Sequence, residues 1–146
     1  MLRKQPRGFT LIELVIAMVV IGILAAIAFP SYTNYMLQVR RSDCAGALIQ
    51  LASVMERDFS RNNNQYRDVT AAGINLFPNT CPIDGGGATT YTLTIPVLTP
   101  STYTLVATPG DALGAGPQAN DPCGTLTLTN LLQKGQAVGT VADCWR

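Results

Sequence analysis

Hydrophobic and polar residues follow three successive patterns along the chain, and the first is an apolar run. Phe9 to Phe29 is 21 residues long, and its one charged residue is Glu13. At about 1.5 Å per residue, a helix of this length spans roughly 30 Å, the thickness of the hydrocarbon core of a bilayer. Residues 9–30 are therefore predicted to form a membrane-spanning helix.

The second pattern runs from Ser31 to Arg61, where apolar residues recur at spacings of three and four. This spacing indicates an amphipathic helix with one buried and one wet face. Residues 9–61 are thus predicted to form one helix of roughly 50 residues, whose second half packs against a domain. The predicted buried positions are Ala45, Leu48, Leu51 or Ala52, Met55 and Phe59, with Arg41, Asp43, Gln50, Glu56, Arg57 and Arg61 mainly elsewhere.

The third pattern is a long connection followed by short strands. Residues 62–88 begin with three asparagines and are rich in glycine and proline, which predicts a loop. The segments Thr89–Pro96, Thr102–Thr108 and Thr125–Thr129 alternate or are β-branched, and the short link 98–101 suits a hairpin. We therefore expect an α+β fold, with a long N-terminal helix on a small antiparallel sheet of about four strands in residues 89–146.

Charge orients the apolar helix. Arg3, Lys4 and Arg7 precede it without any acid among residues 1–8, and cations in such a position stay in the cytoplasm. Everything after Phe29 is then expected on the outer side of the inner membrane. The whole chain has a net charge of +1 and 13% charged residues, so nucleic acid is an unlikely partner on composition alone.

The N-terminal segment has three possible interpretations: a cleaved signal peptide, an uncleaved membrane anchor, or a helix from which only residues 1–8 are removed. Ala26-Ile27-Ala28 fits a secretory cleavage site, but Glu13 and the length of the apolar run count against a signal peptide. A plain single-span anchor stays open. Cleavage between Gly8 and Phe9 would place a new amine near Glu13, and a buried carboxylate needs an opposite charge. Between parallel staggered helices, such pairs repeat without closing and give a filament.

The residues available for catalysis or cofactor binding argue against an enzyme. The chain has no histidine, and Gly85-Gly86-Gly87 lacks the lysine of a phosphate loop, so we expect no catalytic residues and no cofactor. Asp111 and Asp121 raise the alternative of calcium, although two such acids are more often solvated loop charges. The four cysteines form no Cys-x-x-Cys pair, which favours two disulfides over zinc or redox chemistry and leaves three pairings open.

The N-terminal residues closely resemble a known family. Gly8-Phe9-Thr10-Leu11-Ile12-Glu13-Leu14, then Ile21 to Ala28 and Pro30-Ser31-Tyr32, are similar to the class III leader and N-terminal helix of type IV pilins. The resemblance implies removal of leader 1–8 after Gly8 by a prepilin peptidase, N-methylation of Phe9, and a role for Glu13 in guiding subunits into the fibre. It also implies that the helix can unwind around Gly22 and Pro30, where glycine and proline weaken it.

The C-terminal half carries a weaker resemblance. Cys123-Gly124-Thr125-Leu126-Thr127-Leu128 with Cys144-Trp145 resembles the disulfide-bounded D-region of type IV pilins, particularly minor pilins. In the same family, residues 62–88 correspond to the loop between helix and sheet. A Cys44–Cys81 bond would fasten that loop to the helix, so the favoured pairs are Cys44–Cys81 and Cys123–Cys144.

The function that this resemblance implies is that of a minor pilin in a type IV pilus, serving adhesion, twitching motility or DNA uptake. Its partners would be other pilins, the prepilin peptidase, the inner-membrane assembly machinery and, before assembly, lipid. The subunit would begin as a single-pass inner-membrane protein with a periplasmic C-terminus and end in the extracellular fibre. The alternatives are a major pilin, a type II secretion pseudopilin, or a DNA-receptor competence pilin using the scattered cations Arg40, Arg41, Arg57, Arg61, Arg67, Lys134 and Arg146.

Overall fold

A computed structural model of the chain describes residues 9–145. Gly8 and the three N-terminal cations, together with Arg146, lie outside the described residues. The chain divides into two compact units, one ending at Met36 and the other beginning at Leu37.

The principal helix, α1, runs from Leu11 to Arg61 and is 51 residues long. The predicted length of roughly 50 residues is therefore confirmed. Asn62 follows the helix, and Asn63 and Asn64 adopt left-handed backbone angles with φ of 53° and 54°. Asparagine tolerates this conformation better than most residues, which explains why the three asparagines end the helix.

The unit that ends at Met36 is apolar and exposed. An 18-residue window of α1 near the N-terminus has a mean hydropathy of 2.9, and none of it is buried. Large side chains such as Leu11, Ile27 and Phe29 are 82%, 68% and 71% exposed. By length and composition, this part of α1 can cross a membrane.

The second unit contains five antiparallel strands in the order β1-β2-β3-β4-β5. They are followed by the short helix α2, Val141–Cys144. The structure thus has one strand more than the four or so expected, because β1 and β5 are too short to show an alternating pattern. The strands are β1 Thr80–Cys81, β2 Tyr91–Leu98, β3 Tyr103–Pro109, β4 Leu126–Thr129 and β5 Lys134–Gln136.

The core of this unit lies between the second half of α1 and one face of the sheet. The register pairs Leu93 with Ala107 and Ala107 with Leu126, so the apolar positions of neighbouring strands line up. The predicted α+β fold is confirmed. The buried residues include Ala45, Leu48, Leu51, Ala52 and Met55 of α1 and Tyr91, Leu93, Tyr103, Leu105, Ala107, Leu126 and Leu128 of the sheet.

Two predicted positions of α1 differ from the structure. Arg41 was expected on the wet face but is only 8% exposed. Phe59, expected to be buried, is half-buried and stacks on Tyr66 with a centroid distance of 4.4 Å. Arg41 is buried because it forms an ion pair with Asp121 of the β3–β4 loop.

Candidate functional site

The N-terminal end of α1 holds Thr10 and Glu13 in a defined local arrangement. Glu13 N donates to Thr10 Oγ1 at 3.3 Å, while Glu13 Oε2 accepts from Thr10 N at 3.3 Å and from Thr10 Oγ1 at 3.2 Å. This is the reciprocal capping box of a helix start, with Thr10 as the N-cap. The Glu13 carboxylate therefore has donors within its own helix, while both residues and Phe9 remain exposed.

The two residues expected to weaken the helix lie within α1. An added Cβ at Gly22 would meet nothing within 4 Å, so the absence of a side chain there is not required by packing in the single chain. Pro30 is inside the helix, and its carbonyl accepts from Thr33 Oγ1 at 3.0 Å. Since proline has no backbone N–H, it cannot donate one of the helical hydrogen bonds at this position.

The structure brings the four cysteines together as two disulfides, Cys44–Cys81 and Cys123–Cys144. The first joins α1 to β1 across 37 positions of sequence and so fastens the loop 62–88 to the helix. The second joins the end of the β3–β4 loop, three residues before β4, to α2 across 21 positions. All four residues are buried, and each bond holds a segment with little regular structure of its own.

A buried polar network ties the β3–β4 loop to α1. Arg41 Nη1 donates to Asp121 Oδ1 at 2.6 Å, and the Tyr91 hydroxyl donates to Asp121 Oδ2. Gln118 Nε2 donates to Asp121 Oδ2 at 2.7 Å and to Leu37 O at 2.9 Å. The interpretation of Asp121 as a solvated loop charge is therefore wrong, because this residue is 8% exposed and paired with a buried guanidinium.

The network shifts the pKa values of its members. Burial would raise the pKa of Asp121, but hydrogen bonds from Tyr91, the Cys123 backbone and Gln118, together with Arg41, lower it below its usual value. Burial and the Asp121 carboxylate raise the pKa of Tyr91. At neutral pH the cluster thus holds an ionised carboxylate against a protonated phenol, which stabilises the loop on the helix.

A second polar cluster closes the other end of the sheet. The Glu56 carboxylate accepts from the hydroxyls of Tyr66 at 2.8 Å and Tyr103 at 3.0 Å. Burial and the Glu56 carboxylate raise the pKa of Tyr66 to about 12. Nearby, Asp58 accepts two bonds of 2.7 Å from Arg67, which lower the pKa of Asp58. These contacts attach the chain that follows α1 to the helix.

The cations differ in how accessible they are. Arg41 and Arg67 are engaged in ion pairs, and Arg40 Nη1 donates to Pro117 O at 3.2 Å. Arg57 and Arg61 lie one turn apart on α1 and are exposed, as is Lys134 on β5. Arg146 lies outside the described residues. The exposed cations without an ion pair in the described part of the domain are thus Arg57 and Arg61 at the end of α1 and Lys134 on β5.

The exposed apolar side chains of α1 form a surface suited to contact with lipid or neighbouring helices. Among residues 9–145 there is no group of three or more acidic or cysteine side chains placed to hold a metal ion. What this part of the chain presents is an apolar helical surface, a capped acidic residue at its start, and a domain held by two disulfides and two polar clusters.

Two features of the site had not been predicted from the sequence. The capping box could have been found, because Thr10-Leu11-Ile12-Glu13 has the Thr-x-x-Glu spacing before an apolar run. The Arg41–Asp121 pair had no such signal, since its members are 80 positions apart. Only the folded chain brings them together.

Comparison with known proteins identifies two matching family models. Residues 3–29 match the prokaryotic N-terminal methylation motif. Residues 30–127 match the family described as type IV minor pilin ComP, DNA uptake sequence receptor. The two models meet near Pro30 and together cover most of the chain.

Individual relatives with similar sequences are fimbrial proteins. The chain is 38% identical to the fimbrial protein EcpC of Eikenella corrodens over 51% of this chain and 48% of the relative. It is 42% identical to the type IV major fimbrial protein FimA of Dichelobacter nodosus over 38% and 35%. The chain thus spans about half or less of the length of these relatives.

A solved structure supports the fold. The Neisseria meningitidis non-core minor pilin PilV superposes with a TM-score of 0.51 at 20% identity, covering 76% of this chain and 95% of that one. At this identity, the likeness bears on the fold alone. Together with the family models, which cover both the N-terminal helix and the domain, these findings show that the chain belongs to the type IV pilin family.

Proposed function

We propose that this chain is a minor pilin, a structural subunit that enters a type IV pilus through its N-terminal helix. The observation that carries the proposal is the match of residues 30–127 to a minor-pilin family model. The exposed apolar surface of α1 supports it, because side chains such as Leu11 and Phe29 need lipid or neighbouring helices to cover them.

Processing precedes assembly in this proposal. A prepilin peptidase cuts after Gly8, Phe9 becomes the methylated N-terminus, and the cations of leader 1–8 are lost. The subunit waits in the inner membrane with residues 9–30 in lipid and the domain in the periplasm. Its function is structural, with no reaction catalysed.

Glu13 guides the subunit out of the bilayer. In the single helix its carboxylate accepts from Thr10, and in the fibre it pairs with the amine of Phe9 on a neighbouring pilin. Loosening of the helix between Gly22 and Pro30 lets the subunits pack. The partners are other pilins and the inner-membrane assembly machinery, and the pilus then serves adhesion, twitching motility or DNA uptake.

Sheared fibres test the minor role. An epitope-tagged chain should be found in purified pili by immunogold labelling, at low copy number beside a more abundant pilin. A chain that forms the bulk of the fibre would make it a major pilin. A chain that is absent from pili would overturn the proposal.

A second candidate function is DNA binding during uptake. It is favoured by the description of the matching family, whose named member is a DNA uptake sequence receptor. The accessible cations at the end of α1, Arg57 and Arg61, would supply contacts to phosphate. Composition argues in the opposite direction, because the processed chain carries a side-chain charge of −2.

A gel-shift assay with the processed chain in detergent tests this candidate. A receptor should shift duplex DNA at low salt, with affinity falling as salt rises because bound counterions are released. An Arg57→Gln/Arg61→Gln variant should bind less tightly than a Gln50→Ala control on the same helix. No shift at low salt would rule out DNA binding.

A further inference from the structure

Two tyrosines lie just beyond the apolar run of α1. Phe29 ends the run, and Tyr32 and Tyr35 follow it at intervals of three residues. Residues three apart are neighbours on the surface of a helix, so the three rings form one row. They are 71%, 63% and 62% exposed, respectively. We call Tyr32 and Tyr35 the tyrosine pair.

The tyrosine pair has no partner within the chain. Neither hydroxyl makes a hydrogen bond among residues 9–145, and neither ring packs on another aromatic ring there. A tyrosine combines an apolar ring with a polar tip, and the two parts prefer different surroundings. Water alone leaves the ring uncovered, and hydrocarbon alone leaves the hydroxyl unpaired. A boundary between the two satisfies both parts of the side chain.

Charged side chains are missing from this part of α1. Residues 14–39 contain no Asp, Glu, Lys or Arg. Basic side chains near the end of a membrane helix often reach to the lipid headgroups, but the first cation after the run, Arg40, donates to Pro117 O. The tyrosine pair is therefore the group in this segment that is suited to a membrane–water boundary, where tyrosine is enriched.

The spacing of the pair matches the dimensions of a bilayer. Beyond a hydrocarbon core of about 30 Å, each headgroup layer is roughly 5–7 Å thick. With Phe29 at the edge of the core, the Cα atoms of Tyr32 and Tyr35 lie about 4.5 Å and about 9 Å beyond it along the helix axis. Side chains of a helix lean toward its N-terminus, so both rings point back toward the core. Both rings therefore reach the headgroup layer.

From these observations we propose that Tyr32 and Tyr35 bind the headgroup layer of the outer leaflet of the inner membrane and fix the depth of α1 before assembly. The rings lie beside the upper acyl groups, and the hydroxyls bond to phosphate or water. Because the Cα of Tyr35 lies beyond the layer that its ring prefers, the pair draws the helix inward. Extraction into a fibre then has to remove both rings from the lipid. This inference rests on the proposed function, in which the subunit waits in the inner membrane.

Fluorescence quenching locates the pair. The full chain, processed after Gly8, is reconstituted in vesicles of phosphatidylethanolamine and phosphatidylglycerol. Tyr32→Trp and Tyr35→Trp are made separately in a Trp145→Phe background, so that a single indole reports. Lipids brominated near the headgroup should quench each indole several-fold more than lipids brominated near the chain ends. Val20→Trp in the same background, near the centre of the apolar run, is the control and should show the reverse order.

Thiol labelling tests the anchoring itself. Asn34 lies outside the row of rings, so the reaction of Asn34→Cys with a charged, water-soluble maleimide reports the depth of the helix rather than shielding by a ring. Tyr32→Ala/Tyr35→Ala should let the helix move outward and speed this reaction several-fold. Tyr32→Trp/Tyr35→Trp keeps the preference for the boundary and should leave the reaction slow. Gln50→Cys, at an exposed position of the domain, is the control and should react equally fast in all three forms.

The outcomes separate the anchor from the function on which it rests. If the chain stays in the vesicles but the indoles are quenched no better near the headgroup, or if Asn34→Cys reacts equally fast in all three forms, the anchor is overturned and the proposed function stands. If alkaline carbonate releases the chain from the vesicles, the membrane stage of the proposed function fails and the anchor fails with it. Quenching that is lost as the ratio of protein to lipid rises would show that the rings prefer neighbouring helices, which also overturns the anchor.

Discussion

Arg41 Nη1 lies 2.6 Å from Asp121 Oδ1 and joins α1 to the β3–β4 loop in the interior of the domain. Removing one member would leave a buried charge without its partner. Asp121→Ala should therefore lower the free energy of unfolding by about 3–5 kcal/mol, measured by urea unfolding of the full chain in detergent.

Asp43→Ala is the matched control for that variant. Asp43 is an exposed acid two positions after Arg41, so its loss should change the free energy of unfolding by less than about 0.5 kcal/mol. Equal effects of the two substitutions would contradict a stabilising role for the buried pair.

The free energy of unfolding should also depend on pH. The pKa values of Asp58 and Asp121 are lowered in the folded chain, by Arg67 for the first and by the hydrogen bonds of the network for the second. Their contribution is complete above the unfolded value of about 4 and is lost as the pH falls through the lower folded value. Unfolding free energies measured between pH 7 and pH 2 should therefore decline below about pH 4.

The same pH series, measured on a variant, shows which carboxylate causes the loss of stability in acid. Asp58→Asn removes one of the two carboxylates, so the variant should be less stable at neutral pH and its decline below about pH 4 should be shallower. A variant with an unchanged slope would show that the Asp58–Arg67 pair does not contribute to the acid sensitivity.

The disulfides stabilise two weakly structured segments. On the chain-entropy model, Cys123→Ala/Cys144→Ala should lower the free energy of unfolding by about 3 kcal/mol. Cys44→Ala/Cys81→Ala should lower it slightly more, because the Cys44–Cys81 disulfide closes the longer loop. Thermal unfolding of both variants in detergent measures the difference. A loss well under 1 kcal/mol for both would mean that packing alone holds these segments in place.

Glu13 has two separable roles, as a helix cap and as a charge. Glu13→Gln keeps an oxygen that can accept from Thr10 but removes the negative charge. Membrane insertion should be unchanged, whereas incorporation into pili should fall strongly, as measured by immunoblots of membranes and sheared fibres. Thr10→Ser, which keeps the cap and the charge, is the control and should be incorporated. Normal incorporation of Glu13→Gln would contradict charge pairing.

The sequence pattern anticipates the helix and the central strands because these elements repeat one period for long enough to be recognised. The apolar run and the three-four spacing predicted α1, and alternation predicted β2, β3 and β4 to within about two residues. The two- and three-residue strands β1 and β5 escape this test, since they exist only by pairing with a longer neighbour. Their positions depend on tertiary structure.

The polar contacts of the domain were harder to foresee. The residues next to Arg41 in the helix sequence are polar, and Asp121 lies in a loop rich in glycine and proline. From the sequence, each residue is therefore expected to be exposed to solvent. Their burial follows from the way Gln118 and Tyr91 bring the loop against the helix. Local periodicity carries no information on a contact across 80 positions. The Thr10–Glu13 cap, by contrast, is a local motif that can be recognised in the sequence.

The central claim is that the chain is cut after Gly8 and built into a fibre through the helix that begins near Phe9. Intact-mass and peptide mass spectrometry of the subunit from sheared pili tests it most directly. The account predicts an N-terminus at Phe9 carrying one added methyl group, with Cys44 bonded to Cys81 and Cys123 to Cys144. A subunit that begins at Met1, or one cut near Phe29 and found free in the periplasm, would contradict it.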